Sequence, residues 1–389
     1  MNLDQYLQPR LQERRNQLRY RTRKLVESPQ AALINVGGRQ LVNFCSNDYL
    51  GLANNPALIT AMKNAADNYG VGSGASHLVN GHSLEHHYLE EELAEFTGRE
   101  RVLLFSTGYM ANMGVINALT GKGDLVLEDK LNHASLIDGG LLTAADMQRF
   151  KHSDMAHLEQ RLKNSTHKHK LIVTDGVFSM DGDLAKLGAM AELADANDSW
   201  LMVDDAHGIG CLGEKGAGTV DVFGMNQHQV PILIGTLGKA FGTFGAFVAG
   251  SETLIESLIQ FSRTYIYTTA LPPAVAAATR ASLRLVREAG QQRTHLMQLV
   301  ARFRESCLNL GLELMDSNTP IQPVMVGSDE RALQMSQRLA QLGFWVSAIR
   351  PPTVPEGTAR LRVTLTAQHT LKQVDQLVAA LVSAKMEKG

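Results

Sequence analysis

Lys239 stands in Gly235-Thr236-Leu237-Gly238-Lys239-Ala240-Phe241-Gly242, directly after an apolar run over residues 232–234. A lysine is ordinarily a solvated surface charge. Here the residues before it read as a buried strand and its flanks are glycine or small and apolar. Such surroundings lower an amine's pKa and suit one that must be neutral part of the time, as a Schiff-base lysine must. The glycines let a bulky ligand approach the backbone. A phosphate-cradling Walker loop is excluded: Leu233 occupies its first glycine position, and Ala240 stands where a Ser or Thr would hold magnesium.

Asp204 and Asp205 close a second apolar run over residues 200–203 and open Asp204-Asp205-Ala206-His207-Gly208. Strand alternation points the two carboxylates to opposite faces, so only one can face a given ligand. The expectation is that Asp205 caps the following segment. Asp204 is then left to pair with a cationic ring nitrogen, the interaction that makes pyridoxal phosphate an electron sink. Ser106-Thr107-Gly108-Tyr109-Met110 turns from a strand into a helix, where free N–H groups suit a phosphate. His133 and Ser179 follow other apolar runs, His133 being able to stack on a flat ring. Taken singly these are turn or cap residues; their shared position after successive strands is what points to a site.

The elements that must position these residues follow from periodicity. Apolar runs at 101–105, 125–127, 171–174, 200–203 and 232–234 read as strands buried on both faces, with helical patterns at 155–162 and 187–194 between them. This is α/β architecture, in which ligands gather at the carboxyl ends of the strands. Long helices are expected over 252–310, broken at Leu271-Pro272-Pro273. Strands follow at 321–326, 344–349 and 361–365, a helix at 331–342, and a last helix with Leu371, Val374, Leu377, Val378 and Leu381 on one face. The expected organisation is an N-terminal helical segment with short strands (1–45), a large cofactor-binding domain (46–290) and a small C-terminal α+β domain (291–389).

The chain has 389 residues, 44% hydrophobic and 20% charged, with a formal net charge of −2. That balance speaks against a nucleic-acid surface. Cys45, Cys211 and Cys307 build neither a disulfide framework nor a zinc spacing. With no membrane span or signal peptide read in the sequence, a cytoplasmic enzyme is expected. Leu11, Leu18 and Leu25 recur among Arg14, Arg15, Arg19, Arg21, Arg23 and Lys24, which reads as an amphipathic surface helix. His82-Ser83-Leu84-Glu85-His86 matches the HxxEH pattern of a zinc-hydrolase class and is the rival from a different class. The expectation is that these histidines lie in a solvated first helical turn, and no metal is expected.

Asn43-Phe-Cys-Ser-Asn47-Asp48-Tyr49-Leu50-Gly51-Leu52, Gly70-Val-Gly-Ser-Gly74, Asp175-Gly-Val-Phe-Ser179-Met-Asp-Gly182, Val203-Asp204-Asp205-Ala206-His207-Gly208 and Gly235-Thr236-Leu237-Gly238-Lys239 together resemble the α-oxoamine synthases, a family of fold-type I pyridoxal-phosphate enzymes. The resemblance runs over nearly the whole chain. It implies an aspartate aminotransferase-like α/β fold with a mainly parallel sheet, and pyridoxal 5'-phosphate as cofactor. Lys239 would carry the Schiff base and serve as Cα base, Asp204 would pair with the ring nitrogen, His133 would stack on the ring, and His207 would meet the ring hydroxyl with Ser179 close by. Gly108, Tyr109 and Thr236 would hold the phosphate. Thr268 and Thr269 would reach the phosphate of the partner subunit in a homodimer with active sites at its interface. Asn47 and Arg362 would hold a carboxylate, and Arg21, Arg350 and Thr353 would lie on the substrate side. Arg360 and Arg362 share a strand face, and only the resemblance selects Arg362.

Residues 348–355 and 357–362 are most similar to the family member that condenses L-alanine with a pimeloyl thioester, on CoA or an acyl carrier protein, in biotin biosynthesis. A glycine C-acetyltransferase is the nearest rival and would use the same cofactor residues. Ala75-Ser76-His77 departs from the pattern, and His77 has no implied role.

Overall fold

The computed structural model describes residues 2–387. The chain divides into two compact units: one holds Asn47–Ser179 and Asp183–Thr294; the other holds the chain up to Ser46, Met180–Gly182 and the chain from His295 onward.

The first unit is built on a seven-stranded sheet. Its strands run in the order Arg101–Phe105, Ala246–Gly250, Ile232–Thr236, Trp200–Asp204, Lys170–Asp175, Leu125–Asp129 and Asp146–Phe150. Only Ala246–Gly250 runs antiparallel to its neighbours. The central strands are continuous apolar runs because helices cover both faces and neither side tolerates polar groups. Val126, Leu171, Val173, Met202, Ile232 and Ile234 lie in one buried cluster. Each such side chain contributes about 1.5–3 kcal/mol on burial. The edge strand Asp146–Phe150 has only Phe150 buried and carries Asp146, Gln148 and Arg149, so it shows no apolar run. Parallel pairing brings the carboxyl ends of four strands to one side, with Asp129, Asp175, Asp204 and Thr236 at the ends.

The second unit carries two three-stranded sheets. Leu33–Val36 pairs antiparallel with Arg39–Asn43, which pairs parallel with Phe344–Trp345. Ala359–Thr364 lies between Ile321–Gly327 and Ser347–Ile349, antiparallel to both. The strand expected at 344–349 is therefore two strands in two sheets. They part at Val346, whose carbonyl accepts from Ser336 Oγ at 2.7 Å rather than from a strand. In the last helix, Leu371–Met386, Val374, Leu377, Val378 and Leu381 are buried as expected. Leu371 is 49% exposed, because the first helical residue has no preceding turn to tuck beneath. The N-terminal helix spans Leu3–Asn16 and buries none of its residues. It ends before Leu18, which takes φ 56°, and Leu25 is 75% exposed outside it. An amphipathic helix carrying Leu11, Leu18 and Leu25 on one face is thus not what forms.

Candidate active site

Asp204 ends its strand 5% exposed, too buried to be left unpaired. Its Oδ2 accepts from Asn112 Nδ2 at 2.6 Å and its Oδ1 accepts from the Ala206 N–H at 3.0 Å. Asp204 therefore caps its own turn. Asp205 is fully buried, and its Oδ2 accepts from the Thr219 N–H at 2.6 Å, fourteen positions along the chain. Asp205 ties down that distant segment and also takes a hydrogen bond from the Gly208 N–H in the next one, while burial pushes its carboxyl up to about 8.

Lys239 lies in the loop after Ile232–Thr236 and is half-buried. Its Nζ lies 3.1 Å from His207 Nε2, and His207 Nδ1 lies 2.6 Å from the Tyr49 hydroxyl. His133 is the N-cap of the helix Ala134–Leu142. Its backbone N–H donates to Asp175 Oδ2 at 2.6 Å, and its Nδ1 lies 2.7 Å from Ser135 Oγ. Burial holds the His133 imidazole below its ordinary range; Asp204 opposes that and Lys239 reinforces it. Asp175 is pushed well above the usual carboxylate range, first by burial and then by Asp204, its register partner on the next strand. One amine, two imidazoles and two carboxylates thus converge at the strand ends.

The helix Gly108–Leu119 follows the edge strand Arg101–Phe105, with Thr107 Oγ1 accepting from the Met110 N–H at 3.2 Å. A side chain added at Gly108 would meet nothing within 4 Å, so the helix N-terminus is open to an anion. The Tyr109 hydroxyl donates to Asp138. Thr236 Oγ1 donates to Gly245 O at 3.2 Å and accepts from the Gly238 N–H at 3.4 Å. Thr268 and Thr269 follow the short helix Arg263–Ile266, and Thr269 O accepts from Ser106 Oγ at 3.3 Å. Ser179 and Asn47 are partly buried in the same unit, Asn47 Oδ1 lying 3.5 Å from the Tyr49 hydroxyl.

Arg21, Arg350, Thr353 and Arg362 belong to the other unit. Arg362 is buried on Ala359–Thr364, and its Nη1 donates to Thr364 Oγ1 at 2.9 Å. Arg360, on the same strand, is spent on an ion pair with Asp181 and on Thr358. Among the described residues the buried Arg350 Nε has no hydrogen-bond partner; burial lowers its pKa, Asp329 opposing and Arg21 adding to the effect. The Thr353 N–H donates to Arg350 O at 3.1 Å.

Three residues escaped the sequence reading. Asn112 joins Asp204 to Ser135, donating to Ser135 Oγ at 2.8 Å, and Ser135 joins His133. Tyr49 stands behind His207. Tyr49 lies inside a motif noted in the sequence and Asn112 two residues past one, but nothing in their spacing pairs them with residues so far along the chain.

His82 and His86 do not share a solvated helical turn. His82 precedes the helix Leu84–Thr97, while His86 is wholly buried. His86 Nδ1 accepts from the Ser83 N–H at 3.0 Å and Nε2 lies 2.6 Å from Leu271 O, so both its nitrogens serve the fold. His77 joins the pair, with Nδ1 2.9 Å from His82 Nδ1 and its ring stacked on Tyr265.

The family model for aminotransferase class I and II matches residues 39–381. The chain is 60% identical to the 8-amino-7-oxononanoate synthase of Saccharophagus degradans, over 100% of this chain and 98% of that one. Among solved structures, a serine palmitoyltransferase variant from S. paucimobilis with a bound PLP–myriocin aldimine superposes with a TM-score of 0.93. It is 31% identical and covers 99% of this chain and 98% of its own. The 8-amino-7-oxononanoate synthase of Francisella tularensis superposes with a TM-score of 0.79 at 33% identity, over 88% of this chain and 97% of that chain.

Proposed function

Because the chain belongs to the class I and II aminotransferase family, we propose that it joins L-alanine to a pimeloyl thioester with loss of carbon dioxide. The products are 8-amino-7-oxononanoate and a free thiol, and the acyl carrier is CoA or a carrier protein. The observation that carries this is 60% identity along the whole chain to a synthase of that name. The enzyme is an acyltransferase of biotin biosynthesis, and its cofactor is pyridoxal 5'-phosphate.

The donor set of the structure fits that cofactor: a half-buried amine at Lys239, a buried carboxylate at Asp204, imidazoles at His133 and His207, and an open helix N-terminus at Gly108. Pyridoxal phosphate, when bound, supplies an electron sink for the charge left on the substrate α-carbon. Lys239 Nζ would hold the cofactor, and its free amine would take the α-proton of the substrate. Asp204 would pair with the ring nitrogen, its carboxylate held in place by the Asn112 amide. His133 covers the ring face, and His207 and Ser179 serve its hydroxyl. The N–H groups of Gly108 and Tyr109 and the Thr236 hydroxyl hold the phosphate. Asn47 and Arg362 are assigned to substrate or product carboxylate, and Arg21, Arg350 and Thr353 to the acyl side.

The enzyme acts as a cytoplasmic homodimer in which Thr268 and Thr269 reach the partner's cofactor phosphate. No helix of the described residues is long and apolar enough to cross a membrane. Thiol release with alanine or glycine, each with pimeloyl- or acetyl-CoA, tests the reading. Alanine with pimeloyl-CoA is the expected pair, and Lys239→Ala is expected to lose both turnover and visible cofactor absorbance. Preference for glycine with acetyl-CoA, or normal turnover by Lys239→Ala, would overturn it.

A further inference from the structure

Tyr49 is wholly buried. Its hydroxyl lies 2.6 Å from His207 Nδ1, and the other nitrogen of that ring lies 3.1 Å from Lys239 Nζ. A neutral imidazole carries one proton on two nitrogens, so the partner of one nitrogen decides what the other presents. A phenolic O–H is a much stronger acid than a neutral imidazole N–H. The phenol has one proton and two acceptors in reach, His207 Nδ1 at 2.6 Å and Asn47 Oδ1 at 3.5 Å; given to the nearer one, it leaves His207 with its proton on Nε2, which a neutral Lys239 amine can accept.

The loop that carries Tyr49 is built to hold this contact. Asp48 Oδ1 and Oδ2 accept from the N–H groups of Leu52 and Ala53 at 2.8 and 3.0 Å. Gly242, three residues past Lys239, takes φ +66°, and a Cβ there would lie 2.4 Å from the Ala53 nitrogen. Glycine alone permits that approach, so the Lys239 loop and the Tyr49 loop are locked against each other. Tyr49 and His207 also meet edge to face, with ring centroids 6.0 Å apart, which fixes the imidazole plane.

We infer that Tyr49 is a positioning residue: its hydroxyl donates to His207 Nδ1 and holds His207 as the Nε2–H tautomer, so that a hydrogen-bond donor faces the group bound at Lys239. The inference rests on the proposed role of Lys239 and His207, and it assigns what sets the state of His207.

Nitrogen-15 histidine NMR of the full-length, cofactor-free protein, at alkaline pH where the Lys239 amine is neutral and can accept, reads the tautomer directly. In the unsubstituted protein His207 is expected to be protonated on Nε2, and Tyr49→Phe is expected to shift it toward the Nδ1–H form. In the loaded enzyme Tyr49→Phe is expected to move the pH titration of the visible band. It should also lower kcat roughly fivefold to tenfold with KM for alanine little changed, the scale of one lost hydrogen bond. An Nδ1–H tautomer before substitution, or unchanged His207 resonances in Tyr49→Phe, would overturn the inference. Should Tyr49→Phe not fold, 3-fluorotyrosine at position 49 keeps the shape with a more acidic hydroxyl. A displaced Nδ1 resonance then supports the inference and an unmoved one overturns it. An enzyme that takes up no pyridoxal phosphate would instead count against the proposed function, and the cofactor-free tautomer would still decide the role of Tyr49.

Discussion

Asn112 donates one amide proton to Asp204 at 2.6 Å and the other to Ser135 at 2.8 Å. The amide orientation follows from this, since a flipped Asn112 would set its oxygen against the carboxylate. Its own Oδ1 is buried with no hydrogen-bond partner among the described residues, a cost accepted in order to present both protons. Removing the donor leaves a buried carboxylate oxygen of Asp204 without its hydrogen bond. Asn112→Ala is expected to weaken cofactor binding by about tenfold or more, the worth of a hydrogen bond to a charged group. Asn112→Asp, which adds a second carboxylate, should weaken it further. Titration of the cofactor-free protein by visible absorbance measures both.

His152 is held between two carboxylates, with Nδ1 2.9 Å from Asp129 Oδ1 and Nε2 2.9 Å from Asp183 Oδ2. Burial alone would lower its pKa, but these two partners raise it to about 10. A folded pKa above the unfolded value of about 6.5 means that the stabilisation is full below that value and fades as pH rises through about 10. His152→Gln is therefore expected to cost about 2 kcal/mol at pH 6, with the gap narrowing toward pH 10. Urea denaturation of both proteins across that range is the check.

The cluster of His77, His82 and His86 has the opposite sign. Burial first, then His86 and His82, hold the His77 imidazole down to about 3. An unfolded chain takes up a proton there well before the folded one does. Stability is present above about pH 6.5 and falls as the pH drops toward 3, by up to about 1.4 kcal/mol per unit for each such group. His77→Gln should flatten that acid slope, measured as unfolding free energy against pH.

Arg360 and Arg362 should separate by kind of effect. Arg360 is buried against Asp181, so Arg360→Ala is expected to lower stability by about 3–5 kcal/mol, since it leaves a poorly compensated carboxylate. Arg362→Lys is expected to raise KM for alanine with a smaller loss of stability. Thermal unfolding and steady-state kinetics on both variants decide between the two roles.

The strand-end residues were legible in the sequence for a physical reason. A strand buried on both faces is a run of apolar residues, and its end shows as the first polar or glycine residue. Asp204, Lys239 and the 106–109 turn are marked in that way. The Asp146–Phe150 edge strand was not, since only Phe150 is buried. Ala246–Gly250 pairs antiparallel within the core, and glycine and alanine at its ends blur its periodicity. Leu18 and Leu25 repeat at helical spacing, but that spacing cannot show whether a core exists for them to face.

Lys239 as an amine after a buried strand, Asp204 as the strand-end carboxylate, and the α/β alternation that carries both are consequences of local residue order, and the sequence alone determined them. The partners that give those groups their states were decided by the tertiary structure. Asn112 reaches Asp204 across 92 positions and Tyr49 reaches His207 across 158. Hydrogen bonds of this kind depend on distances of tenths of an ångström between segments that only folding brings together, and no periodicity in the chain records them.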